Sequence, residues 1–270
     1  MSPIWIIYAL LFSALVAAAG LCLEKPLARH GRSTRWIWVG VFALVYLLPI
    51  LLYVNPVVNG VMLAPDAPFW AEGPLIPPVR PVEATELWLY DLMRVPWGSE
   101  LGVAILVAWG LAAVGALAVW CRSVWRLRRR RRRWRTAEVA GTRALVSEET
   151  GPAVFGIFRP TLVVPEWVLE LDPERQRLIV AHERAHRDSG DGRLIGAMLV
   201  LVLLCPWNPV LWWAHRRLRL AVEIDCDRRV LSSEAPPIGA YADLLLATVQ
   251  GRLAGAGPGF GDRPSGLRRR

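Results

Sequence analysis

The chain of 270 residues is short of charged residues for its length. Charged side chains make up 20% of it and hydrophobic residues 54%, with a mean hydropathy of +0.34. That balance excludes a disordered chain and is too apolar for a typical soluble domain. We therefore expect a membrane protein of one or two domains.

Positive charge is concentrated in one place. The chain has 32 lysine and arginine residues against 23 acidic ones, and nine of the arginines lie between Arg122 and Arg135, here called the basic run. Outside the basic run the opposite charges balance, so the pI of about 10.2 does not indicate a basic surface. The basic run favours contact with lipid headgroups. Direct nucleic-acid binding is the weaker alternative, because only Trp125 and Trp134 interleave aromatic rings with the arginines.

Three uncharged segments are long enough to be transmembrane helices, at about residues 4–23, 36–54 and 101–120. A helix needs about 20 residues to cross the hydrocarbon core of a bilayer. The first segment could instead be a cleaved signal peptide, but no lysine or arginine precedes it, which favours a retained anchor. The lipid bilayer is therefore the first expected partner.

Loop charges predict the orientation of these helices. The first loop, at 24–35, is rich in basic side chains, as is the basic run, so both should face the cytoplasm. The connector at 55–100 is mainly acidic and rich in proline, with a short helix predicted at 84–93, and should lie outside together with the N-terminus. The predicted division is a multi-pass transmembrane region (1–135), a cytoplasmic domain (136–250) and a disordered tail (251–270).

The four cysteines agree with this placement. In the predicted topology no two of them would face an oxidising compartment together, so no structural disulfide is expected. They are Cys22, Cys121, Cys205 and Cys226.

After residue 136 the pattern changes to that of a mixed domain. Two short apolar runs, at 153–158 and 161–164, predict a β-hairpin or a sharply bent strand. Asp172 followed by Pro173 is typical of a helix start, and this helix is predicted to run to about Asp188.

The predicted helix carries the sequence His182-Glu-Arg-Ala-His186, an H-E-x-x-H motif. Residues four apart share one helix face, with β-carbons about 5–6 Å apart, so both imidazoles can reach one Zn²⁺. Glu183 lies beside that position and can take a proton from the attacking water and deliver it to the leaving amine. The motif predicts the zinc site of a peptidase. The alternative is an exposed amphipathic helix with two incidental histidines.

A catalytic zinc ion needs a third protein ligand, and the candidates lie between Glu223 and Asp227. These two residues share a helix face, so we expect Glu223 to bind the metal and Asp227 to orient a ligand imidazole. Cys226 is the chemical alternative, because thiolate is a good zinc ligand. Asp225 is expected in solvent, and His215 at an interface or on the surface.

An ordered series of motifs resembles the BlaR/MecR family of membrane-embedded zinc metallopeptidases, signal transducers that lead to removal of a transcriptional repressor. The resemblance covers most of residues 1–250 and is far more specific than the zinc motif alone. The series comprises Gly151-Pro-Ala-Val-Phe-Gly-Ile-Phe-Arg-Pro160, Val164-Pro165, His182 to His186 with Asp191, Trp207-Asn208-Pro209, Glu223 to Asp227 with Val230-Leu231, and Tyr241-Ala-Asp-Leu-Leu245.

The resemblance implies a mainly α-helical membrane protein with a cytoplasmic α+β domain of the zincin-like (gluzincin) metalloprotease type. The cofactor it implies is Zn²⁺. The expected roles are metal ligation by His182, His186 and Glu223, general acid–base catalysis by Glu183, and orientation of the ligands by Asp191 and Asp227.

Residues 194–213 are uncharged, and by length alone they predict a fourth crossing. A crossing would place Glu223 about 30 Å from His182, across the membrane, so both could not bind one metal. Pro206 and Pro209 interrupt the segment, and arginines flank both of its ends. We therefore predict a helical hairpin that is re-entrant or lies on the membrane surface.

The sequence departs from part of this family in its lysines, because it contains one lysine, Lys25. Members that sense β-lactams carry an extracellular penicillin-binding domain with an S-x-x-K motif, and this sequence contains no such motif. A signal is therefore expected to enter through the 55–100 loop, through the membrane or through a separate sensor protein.

These features predict an integral-membrane zinc endopeptidase that cleaves a cytoplasmic regulatory protein, such as a transcriptional repressor, and also itself. The alternative is a membrane receptor or scaffold in which a metal stabilises the fold without proteolysis. Glu183 argues against the alternative, because a structural metal site needs no carboxylate at that position.

Overall fold

The computed structural model describes residues 3–54, 100–148, 151–156 and 159–255. The predicted loop helix at 84–93 lies outside these residues, as do residues 256–270 of the predicted disordered tail. Residues 251–255, the start of that predicted tail, are helical instead. The helices are α1 (Pro3–Arg29), α2 (Arg35–Val54), α3 (Glu100–Arg131), α4 (Pro173–Asp188), α5 (Asp191–Leu204), α6 (Pro209–Glu234) and α7 (Ile238–Gly255). The strands are β1 (Arg135–Val139), β2 (Thr142–Ser147), β3 (Ala153–Phe155) and β4 (Thr161–Pro165), and a 3-10 helix follows at Glu166–Glu170.

Two of the described helices are long and apolar enough to cross a hydrocarbon core, at Ile6–Arg29 in α1 and Gly102–Arg131 in α3. Large apolar side chains on both are exposed, among them Leu15 and Leu111, which suits lipid surroundings. The apolar part of α2, Arg35–Leu51, is shorter. Length and composition thus support membrane association through two helices, and the crossing at 36–54 stays a prediction.

One apolar cluster joins the first two helices to α5 and α6. Trp38 and Phe42 of α2 are fully buried together with Val202 of α5 and Leu218 of α6. α1 joins this cluster and approaches α2 closely at Gly20, where an added β-carbon would lie 2.9 Å from a methyl group of Val41. The start of the chain is therefore packed directly on the segment that follows the H-E-x-x-H motif.

Residues 194–213 form a helix–turn–helix and not one continuous helix. The turn ends at Asn208, whose side-chain oxygen accepts hydrogen bonds from the N–H groups of Val210 at 3.0 Å and Leu211 at 3.4 Å. This is an N-cap, which satisfies two of the donors that a helix start leaves unpaired. The predicted helical hairpin is confirmed, and it returns α6 to the side of α4.

A four-stranded sheet with the order β1-β2-β4-β3 lies beside these helices. β3 and β4 pair antiparallel, with Val154 opposite Leu162, so the predicted hairpin is confirmed. β1 and β2 also pair antiparallel, through a turn at Ala140 and Gly141 with φ of 47° and 69°, and β2 pairs parallel to β4. Strands β1 and β2 were not predicted from the sequence.

The core of this domain lies between the sheet and helices α4, α6 and α7. Val164 of β4, Val180 of α4 and Val230 of α6 are buried together, and Tyr241 of α7 closes the cluster. One face of α4 and one face of α6 pack against this same core. The side chains between the two helices therefore have fixed positions.

Candidate metal centre

The H-E-x-x-H motif lies on α4, which has the predicted bounds. Asp172 caps the helix by accepting a hydrogen bond from the N–H of Arg175 at 2.9 Å. The chain leaves the helix through Gly190, whose φ of 67° is in the left-handed region that favours glycine. His182 and His186 therefore lie on the last two turns of a helix that is defined at both ends.

Two imidazole rings and a carboxylate converge between α4 and α6. The Nε2 atoms of His182 and His186 lie 3.2 Å apart. The Glu223 carboxylate lies 3.9 Å from Nε2 of His182 and 3.8 Å from Nε2 of His186. The Glu223 side chain is 39% exposed, against 13% and 15% for the two imidazoles. The three groups thus meet at a point that is accessible from the side of Glu223.

The Nδ1 atom of each ring lies on the other edge of the imidazole from Nε2 and has hydrogen-bond partners in the protein. Nδ1 of His182 lies 3.0 Å from the Tyr241 hydroxyl and 3.3 Å from Asp227, and Tyr241 donates to Asp227 at 3.1 Å. Nδ1 of His186 lies 2.9 Å from Asp191. Acceptors on this edge favour the tautomer with its proton on Nδ1, which leaves the lone pair of Nε2 for a metal.

Asp191, the first residue of α5, is buried with its charge compensated by two arginines. Arg35 of α2 donates to Oδ1 at 2.8 Å, and Arg229 of α6 donates to Oδ2 at 3.1 Å. Arg229 also donates to the hydroxyl of Ser189. Burial of a carboxylate is costly unless such partners are present. They allow Asp191 to serve as the acceptor for His186.

Cys226 is the second candidate for the third ligand. All four cysteines are free, and Cys226 is fully buried, with its thiol donating to the carbonyl oxygen of His182 at 3.3 Å. Burial raises the pKa of the Cys226 thiol. The two imidazoles lower this pKa by more than burial raises it, so the pKa lies below its ordinary value. Among the described residues, the ligand atoms of His182, His186 and Cys226 lie within 4.8 Å of one another. Both Glu223 and Cys226 are therefore within reach of a metal at the two histidines.

The donor set fits a zinc ion. Ligands that lie about 2.0–2.1 Å from a tetrahedral metal are about 3.3 Å from each other. The separation of 3.2 Å between the two Nε2 atoms matches this value. Two imidazoles with one carboxylate are typical of a catalytic zinc site, and two imidazoles with a thiolate also suit this metal.

Carboxylates around the imidazoles raise their pKa values. Burial lowers the pKa of His182, but the hydrogen bond to Asp227 and other contacts raise it to about 10. Burial likewise lowers the pKa of His186, and the hydrogen bond to Asp191 and other contacts raise it to about 10. The surroundings thus favour a positive charge at these rings. Either protons or a metal ion can supply that charge.

The structure brings together five of the predicted site residues, namely His182, His186, Glu223, Asp227 and Asp191, and buries Glu183, but it contradicts one expectation. Asp225, expected in solvent, is 6% exposed, accepts a hydrogen bond from the Ser33 hydroxyl and lies 3.6 Å from Arg228. It is buried because α6 packs on the start of α2 along this face. His215 is at an interface, one of its two expected places, with Nε2 3.2 Å from the carbonyl oxygen of Ile195 in α5.

Three residues that support the centre were not among the predicted site residues: Tyr241, Arg35 and Arg229. Tyr241 belongs to the motif series, so a signal for it was present in the sequence. Arg35 is 156 positions from Asp191, and no spacing or periodicity connects the two residues. Only the packing of α2 on the domain shows that they meet.

A membrane-associated chain with paired histidines and a glutamate on one capped helix has the features of a peptidase. The model of the family described as BlaR1 peptidase M56 matches residues 91–258, and the chain belongs to this family. The chain is similar to the regulatory protein BlaR1 of Bacillus licheniformis, with 29% identity over 83 residues. Those residues are 30% of this chain and 14% of that protein, so the match spans a small part of the relative. The resemblance stated from the motif series is confirmed.

Proposed function

We propose that the chain is an integral-membrane zinc endopeptidase that cleaves a cytoplasmic regulatory protein, such as a transcriptional repressor, and also itself. Family membership supports a peptidase. The observation that carries the metal-dependent part is the convergence of two Nε2 atoms, 3.2 Å apart, with the Glu223 carboxylate at 3.8–3.9 Å. The relative is itself named as a regulatory protein, which supports a regulatory role, and the class of substrate is proposed from the resemblance of the motif series to signal-transducing peptidases.

The roles in the reaction are divided between ligands and a proton carrier. When bound, zinc polarises a peptide carbonyl and makes a water molecule more acidic. Glu183 takes the proton of the attacking water and delivers it to the leaving amine. Its side chain is buried, which keeps this transfer apart from bulk water. The ligands would be His182, His186 and Glu223, oriented by Asp227 and Asp191.

Contacts at the hairpin turn support a re-entrant placement over one on the membrane surface. The last four carbonyl groups of α5 have no partner within the helix. Two of them are bonded by residues of the other apolar helices: Tyr46 donates to the carbonyl oxygen of Leu201 at 2.6 Å, and Trp109 donates to that of Leu204 at 2.7 Å. Backbone groups inside a bilayer need partners from the protein, and here α2 and α3 supply them.

The test compares Glu183→Gln with wild type in the purified full chain. We expect wild type to hold about one zinc ion and to cleave both itself and a library of quenched-fluorescent peptides. The variant should keep its zinc and lose cleavage by about 100-fold or more, because a proton carrier contributes about 10²–10⁴ in rate. Metal analysis and the rate of fluorescence release measure the two effects.

The matched control is Glu174→Gln, which changes an exposed glutamate in the first turn of the same helix and should leave both quantities unchanged. Cleavage by Glu183→Gln at the wild-type rate would contradict the peptidase mechanism. A wild-type chain that holds zinc and depends on it for folding but cleaves nothing would favour the receptor or scaffold alternative.

A further inference from the structure

The first residue of α2 is bonded to the group that supports a metal ligand. The guanidinium of Arg35 donates to Oδ1 of Asp191 at 2.8 Å, and Oδ2 of the same carboxylate lies 2.9 Å from Nδ1 of His186. The side chains of Arg35 and Asp191 are 16% and 2% exposed. Two short contacts that are largely shielded from water thus lead from an apolar helix near the start of the chain to an imidazole of the centre.

The geometry of Asp191 gives Arg35 a specific effect. Oδ2 is shared between His186 and Arg229, whereas Oδ1 is bonded to Arg35. Arginine binds carboxylates most strongly when it engages both oxygens. Without Arg35, the carboxylate could rotate to pair with Arg229 through both oxygens. The hydrogen bond that orients His186 would then weaken.

The loop before α2 is held on α6 close to Glu223. The Ser33 hydroxyl donates to Asp225, and Arg228 donates to the carbonyl oxygen of Gly31 at 3.3 Å. Arg35 itself lies 3.8 Å from Asp225. A displacement of the start of α2 would therefore change the contacts of Asp191 and the contacts of α6, the helix that carries Glu223.

We propose that Arg35 is a positioning residue of the metal centre. Acting through Asp191, it sets the orientation of His186 and so couples the position of α2 to the affinity of the centre for zinc. This inference rests on the proposed zinc site. It goes beyond that site because the ligands alone do not require a residue from an apolar helix at the start of the chain.

The test measures the zinc dissociation constant of the full chain in detergent by competition with a chromophoric chelator. Arg35→Gln is expected to weaken binding by about tenfold, the lower end of the range for residues that support metal ligands. The visible spectrum of the Co²⁺-loaded protein should change as well, because the imidazole is reoriented. Arg35→Lys restores a cation beside Asp191 and is expected to show intermediate affinity.

The control is Arg32→Gln, which removes an exposed arginine of the same loop and should bind zinc as wild type does. In an Asp191→Ala background, Arg35→Gln should have no further effect, because its route to His186 is already gone. A dissociation constant for Arg35→Gln within about twofold of wild type, or a further tenfold loss in the double variant, would contradict the proposal.

Thermal unfolding of each variant separates a positioning effect from a loss of fold. If Arg35→Gln does not fold, Arg35→Lys is compared with Arg32→Gln, and equal zinc affinity of those two contradicts the role of Arg35. A wild-type chain without measurable zinc affinity would instead overturn the proposed zinc site itself, so the two failures are distinguishable.

Discussion

His182 and His186 lie on one helix face but are supported from different parts of the molecule. Nδ1 of His182 is held by Tyr241 of α7 and Asp227 of α6, whereas Nδ1 of His186 is held by Asp191 of α5. Each imidazole thus has its own support. In the proposed zinc site, the support of the two ligands would therefore come from three helices besides the one that carries the histidines.

The identity of the third ligand can be decided by two substitutions on α6. Glu223→Ala is expected to weaken zinc binding by more than the 10–100-fold that is usual for a supporting residue. Cys226→Ser should bind zinc with nearly wild-type affinity, because its thiol already bonds the carbonyl oxygen of His182. The zinc dissociation constants of both full-length variants are measured by chelator competition.

The reverse pattern would assign the thiolate as the ligand. A folded Cys226→Ser protein that loses zinc while Glu223→Ala retains it would show that the buried donor binds the metal. Glu223 would then have a different part in the reaction, and its exposure would place it on the approach of the substrate.

Prediction from sequence works at the residue scale where one helix carries the information. The spacing of His182 and His186, which any α-helix converts into one face, predicts the paired ligands, and Glu183 is predicted from its place in the same motif. Glu223 and Asp227 are predicted in the same way, from their spacing and from the need of a zinc ion for a third protein ligand. Asp225 was assigned wrongly, because its partners Ser33 and Arg228 come together only when α2 packs on α6.

At the scale of elements, the most useful prediction came from a constraint on distance. The uncharged segment 194–213 has the length of a crossing, yet His182 and Glu223 lie on either side of it and have to meet. The hairpin followed from that conflict. In contrast, β1 and β2 were missed because their turn, Ala140-Gly141, is a weak hairpin signal and β1 is mainly exposed.

The hairpin turn depends on Asn208, which joins two roles in one side chain. It caps α6 through its oxygen, and its Nδ2 donates to the Ser13 hydroxyl of α1 at 3.1 Å in a buried position. Asn208→Ala is expected to lower the free energy of unfolding by about 1–2 kcal/mol, since N-cap removal alone costs about 0.5–2 kcal/mol. Chemical denaturation in detergent, followed by far-UV circular dichroism, measures the change.

Asn208→Asp separates the two roles of this side chain. Aspartate keeps the oxygen that caps the helix but cannot donate to Ser13 when it is ionised. We expect its stability to lie between those of wild type and Asn208→Ala. Equal stability of Asn208→Ala and wild type would mean that this turn is held by its apolar packing alone.

At the scale of the whole molecule, the basic segments and the metal centre lie toward the same end of the described helices. The loop between α1 and α2 contacts α6 beside Glu223, and Arg217 of α6 donates to Glu24 near the end of α1. α3 continues past its predicted end at residue 120 to Arg131, because arginine is a good helix former. The rule that basic loops face the cytoplasm therefore predicts a cytoplasmic position for the centre as well.

This orientation can be tested with a cysteine introduced near the end of α6. Ser232 is exposed, and we use Ser232→Cys in a chain whose exposed cysteines, Cys22 and Cys121, are changed to serine. A membrane-impermeant maleimide should label this position only after cells are permeabilised, because basic segments are retained inside. Ala67→Cys, in the loop predicted to lie outside, is the matched control and should be labelled in intact cells.

Labelling of Ser232→Cys in intact cells at the rate of Ala67→Cys would reverse the assignment. The contacts among His182, His186 and Glu223 would be unaffected, since they depend on the packing of α4 on α6 and not on the direction of insertion. The peptide that reaches the exposed side of Glu223 would then come from outside the cell. A cytoplasmic repressor would then be excluded as the substrate. The result would still be compatible with a zinc peptidase at this site.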